Sequence, residues 1–157
     1  MLRIRRQNES KPAPAQFKNG TGGVVKTGSG VVLDLVTNEF KYPSTNTAAN
    51  IYVADQERYL KGINAAYNDQ SDYFEDFVEI PNGERAKLMG FGKLDKFATD
   101  QYVATGLTVG NRLMVNTSGQ WVRATGTIAS VYVFAGIVKD NGRDLMDIEV
   151  YDTPAAN

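Results

Sequence analysis

Apolar and polar residues alternate with a period of two in the last third of the chain, and turn residues interrupt the alternation at short intervals. In Leu145–Tyr151, the side chains of Met146, Ile148 and Val150 point one way and the intervening ones the other, as in a half-buried strand. Asn141–Gly142 precedes this segment, and Asn-Gly between apolar runs is among the strongest hairpin signals because both residues tolerate positive φ. The pattern therefore predicts a β-hairpin near the end of the chain.

Further apolar runs, separated by Gly, Pro and Asn, precede this hairpin at intervals of roughly ten residues. Val131–Val138 is apolar on both faces, which predicts a strand at the centre of a sheet. Val24–Val25 and Val31–Val36 flank Gly28–Ser29–Gly30, which predicts another hairpin. Other predicted strands are Ile51–Ala54, Phe77–Ile80, Arg85–Phe91, Gln101–Thr105, Leu107–Gly110, Arg112–Asn116 and Gln120–Ala124. The succession predicts a mainly β protein, either a small β-barrel or a β-sandwich.

Two regions depart from this pattern. Residues 1–23 contain Pro12, Pro14 and three glycines but few apolar side chains, so they cannot offset their own ordering entropy. We predict an extended N-terminal arm over residues 1–23, ordered only on a partner, and a single β-rich domain over residues 24–157. Residues 55–76 are acidic and aromatic without a clear period, which predicts an irregular insertion with room for one short helix.

The net charge of −1 hides an uneven distribution of charge. Residues 1–33 carry six Lys or Arg and one acid, whereas the remaining residues carry 11 basic and 17 acidic groups. The sequence therefore predicts a basic arm attached to an acidic body. No apolar run approaches the roughly 18 residues of a membrane helix, and no apolar segment of a secretory signal follows the first arginines. We expect an intracellular protein, or a virus particle component without a signal of its own.

The chain contains neither cysteine nor histidine. Disulfides, thiolate metal sites, cysteine nucleophiles and Ser-His-Asp triads are therefore excluded. The commonest general acid–base group and the commonest metal ligand are also missing. We predict that the protein is not an enzyme and holds no metal or cofactor.

Two stretches suggest ligand sites but lack the required spacing. In Gly20–Gly30, Val25 stands directly before Lys26, where a Walker loop needs glycine, so a flexible lead-in to a hairpin is favoured. An acidic cluster could bind Ca²⁺ through carboxylate oxygens, but it lacks the EF-hand spacing, and a solvated acidic face is favoured. Its residues are Asp69, Asp72, Glu75, Asp76 and Glu79.

Trp121 lies near Arg112 and Arg123 on predicted strands. Aromatic residues interleaved with arginine can stack on nucleobases or sugars, so a carbohydrate- or nucleic-acid-binding module is one alternative. A buried tryptophan that anchors a core or an interface is favoured over it. A hydrolase that uses acidic residues alone is a further alternative, which no motif specifically supports.

The C-terminal segment Phe97–Asp152 resembles the head decoration, or cement, proteins of tailed bacteriophages. The shared order is a hydrophobic-x-x-Gly-Asn-x-Leu-x-Val stretch, a turn, a Gly-x-hydrophobic step, Ala-Gly-Ile-Val and a closing strand. Here these are Leu107–Val115, Gly119–Val122, Ala135–Val138 and Leu145–Tyr151. The resemblance implies a virion structural protein that binds the outside of the assembled capsid and bridges neighbouring subunits. The family carries no catalytic residues to transfer.

The resemblance also implies partners and contact residues. We expect the major capsid protein and further copies of this chain as partners, with a homotrimer on the capsid surface after synthesis in the host cytoplasm. No membrane and no small-molecule substrate is expected. A tail, connector or fibre-base barrel is the alternative virion module. The predicted capsid contacts are Arg3, Arg5, Arg6, Lys11 and Lys18, and the predicted oligomer or capsid interface is Tyr52, Tyr59, Tyr67, Tyr73 and Phe74.

Overall fold

The structure, a computed structural model, describes residues 1–6, 16–56, 79–140 and 142–157. These residues form thirteen β-strands and no helix. Five of the strands close into a barrel, so the prediction of a mainly β protein with a small barrel is confirmed. The predicted insertion at residues 55–76 lies almost entirely outside the described residues, because only its first two residues are described.

The strands are short in the N-terminal half and longest at the C-terminal end. The first eight are β1 (Leu2–Arg6), β2 (Gln16–Asn19), β3 (Val25–Lys26), β4 (Gly30–Asp34), β5 (Glu39–Lys41), β6 (Tyr52–Asp55), β7 (Glu79–Ile80) and β8 (Arg85–Met89). The remaining five are β9 (Lys96–Thr99), β10 (Leu113–Val115), β11 (Trp121–Arg123), β12 (Ser130–Asp140) and β13 (Arg143–Ala155).

The closed barrel has the strand order β2-β5-β4-β6-β8. Strand β2 closes it, because it runs antiparallel to β8 on one side, with Phe17 opposite Ala86, and parallel to β5 on the other. Strands β3 and β7 form a separate two-stranded ribbon, in which Val25 pairs with Ile80. The barrel and this ribbon share one apolar cluster, made of Val25, Val31, Phe40, Ala54, Ile80, Ala86 and Leu88.

The second sheet is antiparallel and has the order β1-β9-β13-β12. The predicted C-terminal hairpin is confirmed: Asp140 pairs with Arg143 across the two-residue loop, and Gly142 has a φ of 81°. Strands β10 and β11 form a second hairpin, as the alternation predicts. The prediction that Val131–Val138 is a central strand is wrong, because β12 lies at an edge of the sheet. A loop covers the outer edge of β12 instead, because Phe134 forms backbone hydrogen bonds with residues 110–111.

The main core lies between this sheet, the β10–β11 hairpin and one side of the barrel. Its centre is a row of aromatic rings, with centroid distances of 4.3 Å from Phe91 to Phe97, 5.5 Å from Phe97 to Trp121 and 4.9 Å from Trp121 to Tyr132. The Tyr132 hydroxyl donates to the Ile51 carbonyl at 3.2 Å, and burial raises the pKa of this phenol to about 12. Stacked and edge-to-face contacts of this kind add to the stability that burial supplies.

The turn Lys26–Gly30, which connects β3 of the ribbon to β4 of the barrel, inserts into this core, and we call it the junction turn. The carbonyl of Gly28 accepts hydrogen bonds from Thr99 Oγ1 at 3.1 Å and from Trp121 Nε1 at 3.2 Å. A Cβ added at Gly30 would lie 2.4 Å from a methyl of Val115, so glycine is needed for the close approach. The predicted hairpin across this turn is wrong, since β3 pairs with β7 and β4 with β5 and β6.

The expectation that residues 1–23 order only on a partner is wrong for the described parts of this segment. Strand β1 pairs with β9, and β2 is part of the barrel. Met1 and Leu2 are buried, and the Met1 ammonium donates to the Thr27 carbonyl at 2.8 Å and pairs with Asp100, while burial lowers its pKa. The physical reason is that the alternating sequence Leu-Arg-Ile-Arg suits a strand, and its arginines find acidic partners on the body.

Smaller differences concern strand limits. Gln101–Thr105 contributes only an isolated bridge, at Tyr102, and Leu107–Gly110 forms turns. Strand β4 ends at Asp34 rather than Val36, and β5 lies in a stretch for which no strand was predicted. Both strands lie in the barrel, where β4 also pairs with β6 and β5 with β2, and local alternation does not record this pairing.

Candidate interaction surfaces

The three arginines predicted to contact a capsid come together on the outer face of the four-stranded sheet. They project from β1 towards acidic side chains of β12 and β13. Arg3 Nε lies 2.5 Å from Asp140 Oδ2, and Arg6 Nη2 lies 2.7 Å from Glu149 Oε1. We call this surface the charged face; it consists of Arg3, Arg5, Arg6, Lys96, Asp140, Asp147 and Glu149.

Asp147 occupies the middle of the charged face and is only 6% exposed. Lys96 Nζ lies 3.8 Å from Asp147 Oδ2, and Arg5 Nε lies 4.0 Å from Asp147 Oδ1. The Oδ1 atom accepts no hydrogen bond from the described residues. Asp147 is thus flanked by two cations, and an open cleft of about 260 Å³ beside it is bordered by Arg3 and Arg5. The positive charges predicted for an arm are largely neutralised on this face.

The other predicted contact residues lie elsewhere. Lys18 belongs to β2 of the barrel and pairs with Glu39 at 3.2 Å. Tyr52 belongs to β6 and is half-buried. Lys11 and four of the predicted interface aromatics, Tyr59, Tyr67, Tyr73 and Phe74, lie outside the described residues. The structure therefore describes four of the five predicted capsid contacts and one of the five predicted interface aromatics.

Sequence reasoning missed a pair of exposed apolar residues at the end of the β4–β5 hairpin. Leu35 is 77% exposed and Val36 is 94% exposed, and we call this pair the apolar tip. The apolar run Val31–Val36 predicted that both continue a strand, whereas the strand ends at Asp34 and a turn carries them. The signal in the sequence was Asp34 followed by Thr37 and Asn38, because Asp and Asn side chains favour turns.

Asp34 holds the apolar tip in one conformation. Its Oδ1 accepts from the backbone N–H of Val36 at 3.0 Å and of Thr37 at 3.4 Å, and its Oδ2 accepts from Lys41 Nζ at 2.8 Å. The bond from Lys41 and the two backbone bonds lower the pKa of Asp34 to about 2. Asn38 completes the turn with a φ of 54°. The two apolar side chains are therefore presented on an ordered support.

A groove of about 540 Å³ runs beside the apolar tip, and we call it the barrel groove. The β4–β5 hairpin forms one wall, and the loop from Pro43 to Asn50 forms the other. Its lining combines aliphatic side chains, small hydroxyl groups and one tyrosine: Val32, Leu33, Leu35, Pro43, Ser44, Thr45, Thr47, Ala49, Asn50 and Tyr52. This mixture suits a protein segment better than a charged ligand.

The prediction that Trp121 is a buried anchor is confirmed, and the alternative of a stacking platform around it is not realised. The Trp121 side chain is fully buried, and its Nε1 is committed to the Gly28 carbonyl. Arg112 lies over the ring of Tyr151 at 5.0 Å and donates to the Ser130 carbonyl, whereas Arg123 is exposed. Trp121 is a core anchor, so the carbohydrate or nucleic-acid alternative loses the residue on which it depended.

The described residues contain no group of three or more acidic side chains arranged to hold a metal ion. Of the predicted acidic cluster, only Glu79 is described; it lies on β7 opposite Lys26. No helix of the length and hydropathy needed to cross a membrane occurs among the described residues.

The sequence and fold were also compared with known proteins. The chain matches none of the protein-family models, none of the curated proteins and none of the solved structures. The surfaces described above and the resemblance of the C-terminal segment are therefore the features that bear on function.

Proposed function

We propose that this chain is a structural protein of a tailed-phage virion, which binds the exterior of the assembled capsid and stabilises it by bridging neighbouring subunits. The sequence pattern of Phe97–Asp152 motivates this class of protein. The observation that carries the proposed contact is the apolar tip, because it exposes two aliphatic side chains on an ordered hairpin.

The apolar tip has the properties of a binding anchor. Adjacent exposed apolar side chains that form a patch mark interaction sites, whereas apolar residues scattered singly over a surface do not. Because Asp34 and Lys41 already fix the turn, little further ordering entropy is lost when a partner covers Leu35 and Val36. A small number of such anchors supplies most of the affinity of a typical interface.

The barrel groove extends this contact. Its aliphatic wall and Tyr52 offer apolar area, and the hydroxyls of Ser44, Thr45 and Thr47 offer hydrogen bonds to a bound backbone. Tyrosine is enriched in interface cores because it buries a large area. Arg5, Arg6 and Lys18 keep about half of their side chains exposed, so they remain proposed as polar contacts at the rim.

Attachment of this kind stabilises a capsid by mass action. A protein that binds only the assembled lattice stabilises it by about 2.7 kcal/mol per site when its free concentration is a hundred times Kd. Three copies around a local three-fold axis bind together more tightly than one, because the lattice raises their effective concentration. The homotrimer is therefore proposed for the bound state.

The test is cosedimentation of the purified protein with capsids assembled from the major capsid protein encoded by the same genome. Leu35→Ser and Val36→Ser are expected to weaken binding roughly tenfold each, the effect of losing about 1.4 kcal/mol. Val109→Ser is the matched control, because Val109 is a valine that is 67% exposed on another loop. Its affinity should stay that of the wild type.

Two results would overturn parts of this proposal. Equal affinities of the Val36→Ser and Val109→Ser proteins would remove the apolar tip from the interface. Absence of wild-type binding to capsids would remove the capsid as the partner. Cryo-EM of virions then decides the location, since density on a tail, connector or fibre base would support the alternative virion module.

A further inference from the structure

Strand β1 is attached to the body through a small set of contacts at the edge of a sheet. Its pairing with β9 covers Leu2 opposite Thr99, Arg3 opposite Ala98 and Ile4 opposite Phe97, and the register then shifts before Arg6. Met1 and Leu2 are the buried residues of this segment. A short edge strand with an irregular register belongs to the less stable part of a fold.

The remaining attachment of β1 is electrostatic. Arg3 pairs with Asp140 and Arg6 with Glu149, and Arg5 faces Asp147. The arginine side chains are between one third and one half exposed, and solvent screening makes each pair of this kind weak. A positive strand thus lies on an acidic surface formed by β12 and β13, and this charge complementarity adds to the burial of Met1 and Leu2 and to the ammonium contacts with Thr27 and Asp100.

The topology separates β1 from the strand that follows it. Strand β2 belongs to the barrel, and nine residues, 7–15, connect the two sheets. Nine residues can span up to about 30 Å. The partner of β1 comes from Lys96–Thr99, far along the chain, so the position on β9 can be filled by β1 of any copy that lies within this reach.

We propose that β1 is exchanged between copies of this chain, so that residues 1–6 of one copy pair with β9 of a neighbouring copy. Exchange preserves every contact of β1 and changes only which copy provides it, so it costs little free energy. Copies held side by side have a high effective concentration, which favours the exchanged form. This inference deepens, and rests on, the self-association in the proposed function, and it names the segment that joins the copies.

The test uses two charge-reversed proteins. The strand variant carries Arg3→Glu and Arg6→Glu, and the sheet variant carries Asp140→Arg and Glu149→Arg. Within either protein alone, β1 meets its own sheet with like charges. In an equimolar mixture, each β1 is complementary only to the other protein. The matched control carries all four substitutions in one chain, which restores complementarity within a single copy.

After the two variants are refolded together, we expect most of the protein to form a heteromer, measured by size-exclusion chromatography with light scattering. Its thermal midpoint should rise to that of the four-substitution control. A mixture that remains monomeric and melts like the two separate variants would overturn strand exchange. Capsid binding by the wild-type protein does not enter this result, so the two proposals fail separately.

A second measurement covers the case in which a charge-reversed protein does not fold. The chain has no cysteine, so Arg3→Cys and Ala98→Cys introduce single thiols at two positions that face each other in the register. Oxidation of the co-refolded single variants should give a disulfide-linked heterodimer, and the chain with both substitutions should close an internal disulfide. If only the internal disulfide forms, strand exchange does not occur.

Discussion

The two C-terminal hairpins of the sheet region and the closure of the barrel by β2 differ in how far apart in the chain the paired strands lie. In the sheet region, β12 pairs with β13 and β10 with β11, each across a short turn. In the barrel, β2 pairs with β8, so Phe17 meets Ala86. Turn residues specify the first kind of pairing locally, whereas the second kind forms only when the whole chain closes.

The junction turn joins these two regions. Gly28 and Gly30 belong to the barrel side of the chain, yet they contact Thr99, Trp121 and Val115 of the sheet region. Because the contact uses backbone carbonyls and a close approach, neither region can move there without breaking it. We therefore expect the two regions to unfold together, and the predictions below test that expectation.

The largest effects should come from truncating one large aromatic side chain in each region. Phe134→Ala in the sheet and Phe40→Ala in the barrel should each lower the free energy of unfolding by about 3–5 kcal/mol, because both side chains are buried. Urea unfolding followed by the fluorescence of Trp121, which lies in the sheet core, measures the effect. The fluorescence midpoint should fall for both variants.

The barrel variant is the informative one. If Phe40→Ala lowers the midpoint seen by circular dichroism but leaves that of Trp121 fluorescence unchanged, the barrel unfolds alone and the expected coupling is wrong. A loss below about 1 kcal/mol for Phe134→Ala would contradict the placement of this ring in the core.

A methyl group at the junction should have the next largest effect. Gly30→Ala places a Cβ 2.4 Å from a Val115 methyl, and such overpacking costs about 1–3 kcal/mol. Gly23→Ala is the control, because a Cβ there meets no described atom within 4 Å and its φ is not positive. Chemical denaturation of both variants gives the comparison, and equal stabilities would show that the junction accommodates the methyl.

The free energy of unfolding should fall at alkaline pH because the phenol of Tyr132 is buried in the sheet core. The folded-state pKa of Tyr132 is raised to about 12 from 10.0, so above pH 10 the unfolded chain releases this proton while the folded chain keeps it. Its contribution is complete below pH 10 and is lost as pH rises towards 12, at up to about 1.4 kcal/mol per pH unit. Tyr132→Phe should cost about 1 kcal/mol at pH 7 but reduce the alkaline decline.

Tyr42, which flanks the barrel, is the matched control for this titration. Burial raises its pKa as well, but it is only half-buried. Tyr42→Phe should therefore alter the alkaline decline less than Tyr132→Phe does. The same alkaline slope for both variants would show that the two environments do not differ as described.

The smallest effect should appear at the apolar tip in acid. The folded-state pKa of Asp34 is about 2, below the ordinary 3.8, because Lys41 and two backbone N–H groups donate to the carboxylate. Its contribution to stability is complete above pH 4 and is lost as pH falls towards 2. In an NMR titration, Lys41→Met should raise the pKa of Asp34, whereas Lys18→Met, which removes a cation paired with Glu39, should leave it unchanged.

The same contrast explains how much of the fold could be predicted from the sequence. The hairpin at Gly142 and the one at Gly119 are specified by turn residues between alternating segments, and both are found. The edge position of β12 could not be predicted, because an apolar run does not reveal whether a strand or a loop covers it. Strands β1 and β2 were missed because their partners are distant in the chain, and β5 was missed because Glu39–Lys41 is a short and largely polar segment.

The candidate surfaces were predicted less well, for an electrostatic reason. The excess of arginine in the first residues was visible, and so was the acidic body. These charges pair with each other because Arg3 lies opposite Ala98 and Ala98 lies opposite Asp147. The composition of the chain does not reveal this strand register. The apolar tip was missed because Leu35 and Val36 continue the apolar run that begins at Val31, although the strand ends at Asp34.

Because β2 closes the barrel, it must wait during synthesis of the chain for its partner strand to be made. Strand β2 is synthesised early, but its antiparallel partner β8 follows 69 positions later, as Phe17 and Ala86 show. At about 5–20 residues per second, a ribosome leaves β2 without this partner for roughly 3–14 s. Strand β1 waits longer still for β9, so every newly made chain passes through an interval in which its first strand is available to a neighbour.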